Sequence, residues 1–256
     1  MKIICLVKPV PVPKIVLNSR TSKQMVNPAE MNALEFAMRL KEETGGAVAV
    51  LSMAPKRCEA LLKELYAVGI DDAVLVTDPA YAESDTMATA RTLSRAIDVL
   101  GGCDLIVCGQ RSIDGETGQV GPALGAYRQI PCVTNCVSIE RKQDGVACQR
   151  MAEHGTEQIE TSVPALFAVR CSVNTPRLPS LVGMANARHK EVTVFDNNTL
   201  GLPADACGLA GSPTRVIRTY RQSYGKRKAS EKVTDPVAIR QTMIREIGRI
   251  GEIRDG

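Results

Sequence analysis

The sequence predicts an α/β fold on a doubly wound, mostly parallel sheet, with an antiparallel extension and a C-terminal arm. Three observations carry that prediction. Residues 2–7, 47–53, 73–77 and 104–108 are apolar runs nearly continuous in Val, Ile, Leu, Ala and Cys. Strands covered on both faces read this way, whereas half-exposed strands alternate. Amphipathic helical stretches separate the runs, and a β-α-β succession implies parallel strands with right-handed crossovers. After residue 135 the pattern changes to short runs broken by turn residues.

Each element has its own signal. Asn27-Pro28 opens the first helix, with Asn as N-cap, Pro at the first helical position and Met31, Leu34 and Met38 on one face. The second helix follows Pro55, carries Cys58, Leu61, Leu62 and Leu65, and stops near Gly69. Ser84-Asp85-Thr86 starts the third, with Met87, Ala90, Leu93 and Ile97 at helical spacing. Residues 137–140, 146–151 and 157–160 read as antiparallel strands joined at Gln143-Asp144-Gly145 and His154-Gly155. Residues 164–169 read as one more buried strand. Pro and Gly punctuate the chain from Asn174 onward, and a last helix runs from Pro236 to about Ile247.

Length and composition exclude several classes of function. At about 150 residues per domain, 256 residues make one large domain or one domain with an appendage. A net charge of +4 is too small to mark a nucleic-acid binder. Aromatic residues are only 3%, which removes the stacking platforms of a single-strand binder. The basic run Arg215, Arg218, Arg221, Lys226, Arg227, Lys228 therefore reads as an arm lying on a protein partner. The nine cysteines read as reduced, buried small hydrophobes. No run approaches the ~20 apolar residues of a membrane helix, and the N-terminal run ends at Lys8-Pro9, so a cytoplasmic chain is expected.

The most informative segment is 104–122, where a buried strand ends in Gly109, a glycine-spaced loop follows, and a helix begins near Gly118 to Pro122. Such a junction aims free backbone N–H groups and the positive end of a helix dipole at one spot, which suits an anion. It also lies at the carboxyl end of a parallel strand, where open α/β sheets bind ligands. The loop is neither a Walker A sequence nor a dinucleotide fingerprint. Asp114 and Glu116 repel a phosphate and only Arg111 offsets them, so the phosphate is expected on backbone N–H groups and on Thr117 or Gln119. The residues point to an adenine-nucleotide site.

Several segments, in order, resemble the β subunit of electron transfer flavoproteins. They are Cys5-Leu6-Val7-Lys8, Asn27-Pro28 with Asn32-Ala33-Leu34-Glu35, Leu51-Ser52-Met53-Ala54-Pro55 and Gly69-Ile70-Asp71-Asp72-Ala73. Ser84-Asp85-Thr86-Met87-Ala88-Thr89, the loop Asp114-Gly115-Glu116-Thr117-Gly118-Gln119-Val120-Gly121-Pro122, Asn174-x-Pro176-Arg177 and Arg245-Glu246-Ile247-Gly248-Arg249-Ile250 complete the set. The resemblance implies a flavodoxin-like domain in a heterodimer whose α subunit carries the redox-active FAD. In many members the β subunit holds structural AMP, and in the electron-bifurcating branch it holds a second FAD that accepts hydride from NADH. There, one electron goes to a high-potential acceptor and the other to ferredoxin or flavodoxin.

By that resemblance the nucleotide contacts fall on Leu6, Asn27, Pro28, Ala29, Glu30, Met53, Gly109, Gln110, Arg111, Asp114, Gly115, Glu116, Thr117, Gly118, Gln119, Val120 and Gly121. Asp85 and Thr86 are either further contacts or an ordinary helix start. Gly115 and Gly118 stand where AMP-binding members carry Asp and Asn, which favours FAD over AMP here. Leu181 holds the position through which the family docks dehydrogenases such as acyl-CoA dehydrogenases. The chain then divides into 1–185, an adenine-nucleotide-binding domain, and 186–256, an arm with a terminal helix that packs on the α subunit. A universal-stress-type ATP-binding domain is the alternative from another class, and its phosphate-loop pattern does not occur in the sequence.

Overall fold

The computed structural model describes residues 1–12, 24–143, 145–218 and 234–254. They divide into two compact units, Met1–Arg215 and Val216–Gly256. Four residues of the basic run, Arg221, Lys226, Arg227 and Lys228, lie outside the described residues.

The strands of the first unit are β1 (Lys2–Leu6), β2 (Pro9–Pro11), β3 (Gln24–Val26), β4 (Ala47–Met53), β5 (Asp72–Val76) and β6 (Leu105–Gly109). After them come β7 (Cys132–Lys142), β8 (Gly145–Ala152), β9 (Gly155–Thr161), β10 (Ala165–Val169) and β11 (Thr193–Phe195). Its helices are α1 (Pro28–Thr44), α2 (Glu59–Glu64), α3 (Thr86–Val99), α4 (Val120–Arg128), α5 (Leu181–Ala187) and α6 (Asn197–Leu200). Among the described residues one nine-stranded sheet has the order β11-β5-β4-β1-β6-β10-β7-β8-β9. Every pair from β11 to β7 is parallel, and β7-β8-β9 is an antiparallel extension. The doubly wound, mostly parallel α/β sheet read from the sequence is the fold observed.

Side-chain alternation splits the core into two layers. Ile3, Cys5, Leu105, Val107, Phe167 and Leu75 face α1 and α2, packing on Ala33, Leu34, Ala37, Leu40 and Leu62. Ile4, Leu6, Ile106, Cys108, Leu166 and Val74 face α3, α4 and α6, packing on Ala90, Leu93, Ile97, Leu124 and Leu200. Both faces are covered, which is why the strands read as continuous apolar runs. All nine cysteines are unpaired and six are buried.

Three features depart from the sequence reading. β7 is longer than expected: Cys132 to Cys136 pair parallel with β10, and from Cys136 onward the strand pairs antiparallel with β8, with an irregularity between Cys136 and Ser138. β11 adds a parallel strand beside β5. The first compact unit runs to Arg215, whereas the sequence reading starts the arm at residue 186. Three residues are too few to show a strand period, so β11 carries no signal. In the second unit, α7 (Pro236–Arg254) exposes Val237, Met243, Ile244 and Ile247. Among the described residues no helix is long and apolar enough to cross a membrane.

Two sequence signatures prove to be partners across α1. Asn32 Nδ2 donates to Asn174 O at 2.8 Å and to its Oδ1 at 2.7 Å, and Asn174 Nδ2 donates back to Asn32 O at 3.0 Å. Arg177 donates from its backbone N–H and its Nε to Glu35 Oε2, each at 2.9 Å, and Arg39 Nε donates to Glu35 Oε1 at 2.9 Å. Burial pushes the Glu35 carboxyl up, but the hydrogen bonds from Arg177 and Arg39 outweigh it and hold the group below its ordinary range.

Arg177→Ala should cost about 1–3 kcal/mol, because Glu35 keeps only Arg39 as a charged partner. Glu35 titrates lower folded than unfolded, so the clamp contributes fully above the unfolded value of about 4.3 and fades as pH falls through the folded one. Urea midpoints of wild type and R177A should differ at pH 7 and converge in acid. An equal gap at both pH values would contradict this account.

Candidate functional site

The chain leaves β1 toward β4 on one side and reaches β6 on the other, so the loops after β1 and β6 diverge at the carboxyl edge of the sheet. At that edge, where switch points of open sheets hold ligands, a cleft of about 540 Å³ opens. Gln110 to Ile113, Glu116 to Gln119 and Pro122 form one wall; Asn27, Ala29, Thr134, Asn135, Arg170 and Cys171 complete it.

The loop is held from below by Asn27. Its side chain, fully buried, donates from Nδ2 to Arg111 O at 3.0 Å and accepts the Ile113 N–H at Oδ1 at 3.1 Å. Its backbone N–H donates to Lys8 O at 3.0 Å. Asn27 precedes α1 but makes no side-chain cap, so the expected capping role is replaced by a clamp on the loop. Gly109 makes the clamp possible, since a Cβ there would stand 2.8 Å from Glu30 Cγ and 3.0 Å from Ala29 Cβ. Gln110 fixes the other side: its N–H donates to Val169 O at 2.7 Å, and its Oε1 accepts the Asn135 N–H at 2.7 Å. Asn135 has φ 59°, a conformation asparagine tolerates better than most residues.

The charges sort themselves by pairing. Lys8 Nζ lies 2.8 Å from Asp114, so the acid expected to repel a phosphate is already neutralised. Burial raises the Asp114 carboxyl, yet the Lys8 and Ser112 hydrogen bonds more than offset this and hold it below its ordinary range. Arg111 and Arg170 both line the cleft, and Glu116 is the one acid among the lining residues. Helix α4 begins at the cleft with Gln119 at its N-cap and no side-chain cap. Glu30 is different. It is buried, accepts the Lys8 N–H and an Asn27 Nδ2 bond at 3.3 Å, and burial pushes its carboxyl to about 8.

Of the residues expected to contact a nucleotide, the fold brings Asn27, Ala29, Gln110, Arg111, Glu116, Thr117, Gly118 and Gln119 to the cleft wall. Pro28, Glu30, Gly109, Asp114, Gly115, Val120 and Gly121 are interleaved with them but do not line it. Leu6 and Met53 end β1 and β4 on the same sheet edge, outside the cleft. Asp85 and Thr86 are also outside it. Asp85 caps α3 through the Met87 and Ala88 N–H groups, each at 3.0 Å, and its other oxygen accepts Thr214 N–H and Oγ1 at 3.0 and 2.8 Å. That is the helix-start role weighed for it. Lining residues outside the expected set are Ser112, Ile113 and Pro122 in the loop and Thr134, Asn135, Arg170 and Cys171 beyond it. Arg170 had a signal, since it directly follows the buried strand expected at 164–169.

Asn27→Ala would strip partners from one carbonyl and one N–H of the loop. Roughly 1–3 kcal/mol per orphaned group predicts a stability loss of about 2–6 kcal/mol. Amide exchange at residues 110 to 119 should accelerate more than in β4. Uniform exchange across both segments would show that Asn27 does not clamp the loop.

Comparisons with known proteins agree on one family. Residues 14–200 match the electron transfer flavoprotein domain family. An electron transfer flavoprotein subunit beta of Thermoanaerobacterium thermosaccharolyticum is 42% identical over 196 residues, 76% of this chain and 75% of the relative. The acryloyl-CoA reductase electron transfer subunit gamma of Anaerotignum propionicum is 37% identical over 211 residues, 80% and 79% of the two chains. CarD, a subunit of the caffeyl-CoA reductase-Etf complex of Acetobacterium woodii, is 36% identical over 197 residues, 77% and 75%. A universal-stress-type domain is thereby set aside. The match spans most of the sheet, the loop and the Asn174–Arg177 signature, and the chain belongs to the β-subunit family of electron transfer flavoproteins.

Proposed function

We propose that this chain is the nucleotide-bearing half of a heterodimeric electron carrier, holding FAD in preference to AMP in the switch-point cleft and relaying electrons with an α subunit. The observation that carries the reading is the cleft itself, whose loop is fixed before any ligand arrives by the buried Asn27 side chain. Preorganised loops of this kind avoid the ordering cost of binding. The donors suit a phosphate-bearing ligand. Arg111 and Arg170 would take phosphate oxygens together with Thr117, Gln119 and the uncapped start of α4. Pairing with Lys8 removes the Asp114 charge that stood against this.

Gly115 supports the larger nucleotide. A Cβ there would meet nothing nearer than Ser112 Oγ at 3.7 Å, so the loop has room that a side chain could fill and does not. One observation favours AMP instead: none of the lining residues is aromatic, leaving no ring in this chain to stack on an isoalloxazine. A bound flavin would supply electron exchange singly or in pairs. This chain's residues would bind and orient it, and NADH with ferredoxin or flavodoxin would be the further partners of a bifurcating complex. Leu181, 83% exposed, with Leu178 at 86% and Val182 at 71%, offers an apolar docking site for a partner dehydrogenase. The α7 residues Met243, Ile244 and Ile247 offer a second, for the α subunit.

The test is the nucleotide content of the chain purified with its co-expressed α subunit. FAD at twice the heterodimer concentration and no AMP is the expected result; equal amounts of FAD and AMP would assign AMP to this subunit. In either case Arg170→Ala should weaken the nucleotide retained by this chain by about 10- to 100-fold. Unchanged retention would place the ligand elsewhere.

A further inference from the structure

Glu30, expected among the nucleotide contacts, is a buried acid that does not line the cleft. It stands behind Asn27 and Ala29, outside the cleft wall, and among the described residues it has no ion pair. The nearest ammonium, on Lys8, is committed to Asp114 at 2.8 Å, and only the Lys8 backbone N–H reaches the Glu30 carboxyl. The groups facing it are Lys8 at the end of β1, Asp114 in the loop, and the thiols of Cys5 on β1 and Cys108 on β6. Burial raises both thiols well above their ordinary value, so they stay neutral beside it. An unpaired carboxylate in such a place is costly, and a buried acid relieves that cost by holding its proton. Its position gives it leverage: it is bonded to Asn27, and the same Nδ2 donates to Arg111 O in the loop.

We propose that Glu30 is a positioning residue that carries the site's proton: as a neutral acid it supports Asn27 and the ligand-ready loop, and an anion entering the cleft is accompanied by proton uptake on Glu30. The inference rests on the cleft being the nucleotide site. A phosphate arriving beside the loop adds negative charge near a carboxyl that already faces Asp114, so the complex binds its proton more tightly than the free site. By linkage, anion affinity then falls as pH rises from about 8. The expected slope is up to about tenfold per pH unit for one proton.

The experiment is calorimetric titration of the full chain, freed of nucleotide, with AMP and then FAD, in buffers of differing ionisation enthalpy between pH 7 and 9.5. The expected result is net proton uptake by the wild type above pH 8 with a matching loss of affinity. Glu30→Gln should take up no proton and bind with an affinity independent of pH over this range. Nucleotide binding without proton uptake by the wild type would overturn the Glu30 proposal alone, even if E30Q fails to fold. A pH dependence that survives in a folded E30Q would place the proton on another group and overturn it too. Failure of the wild type to bind either nucleotide at any pH would overturn the reading of the cleft and this inference with it.

Discussion

Strand β6 ends against the first turn of α1 with no side chain between them. Gly109 is the residue at that contact, and a Cβ there would also stand 3.1 Å from the Glu30 backbone nitrogen. Backbone cannot give way as a flexible side chain would, so the approach is available to glycine alone. Because the two elements meet this closely, the short Asn27 side chain spans from α1 to the loop and satisfies two of its backbone groups. The same closeness seals the Glu30 carboxyl from water. Loop order, cleft shape and the environment of the acid all follow from that single approach.

Two acids next to a proposed anion site look contradictory until their surroundings are weighed. Two unit charges about 4 Å apart interact by about 4 kcal/mol at the effective dielectric of a protein surface. Asp114 would impose a penalty of that order on a phosphate if it stood alone. Its partner Lys8 cancels most of it, and exposure of the pair screens the rest. Glu30 has no cation to cancel it, and burial neutralises it by proton binding instead. The site therefore disposes of two negative charges by two different routes, leaving Glu116 against Arg111 and Arg170 on the wall.

The sequence made the sheet visible because covered strands leave continuous apolar runs, and β4 falls on residues 47–53 as read. The helix starts at Pro28 and Thr86 were visible for the same kind of local reason, a fixed φ at one and a capping acid at the other. Long-range pairing was not visible. Asn27 reads locally as a cap, and only the fold brings Arg111 and Ile113 within its reach. Asn135 and Arg170 join the cleft because β10 inserts between β6 and β7, a non-sequential order that no periodicity encodes. Gly118 carries a caution about reading ligand size from glycines. Its φ of 62°, with Gln110 O only 3.2 Å from a hypothetical Cβ, accounts for the glycine without reference to any ligand. Gly115 has no such local cause, which leaves it as the more informative of the two.

Helix α1 serves both ends of the first unit. Its start places Asn27 on the cleft wall with Glu30 behind it, and within the next turns Asn32 and Glu35 hold the segment from Ser172 to Arg177. That segment leads directly into Leu178 and α5, the most exposed apolar stretch of the unit. An exposed apolar helix of seven residues cannot hold its own position, since isolated helices shorter than about 12–15 residues are marginal in water. The clamps on α1 fix the segment that leads into it, and the helix itself is held by the Ser180 N–H donating to Ala67 O at 3.3 Å, by the close approach of Gly183 to Ala67 and by the buried Ala187. The Asn32–Glu35 and Asn174–Arg177 signatures therefore occur as a pair for a physical reason: each is the hydrogen-bonding complement of the other. A substitution in either would disturb the segment leading into α5 while leaving the cleft's own clamp at Asn27 in place.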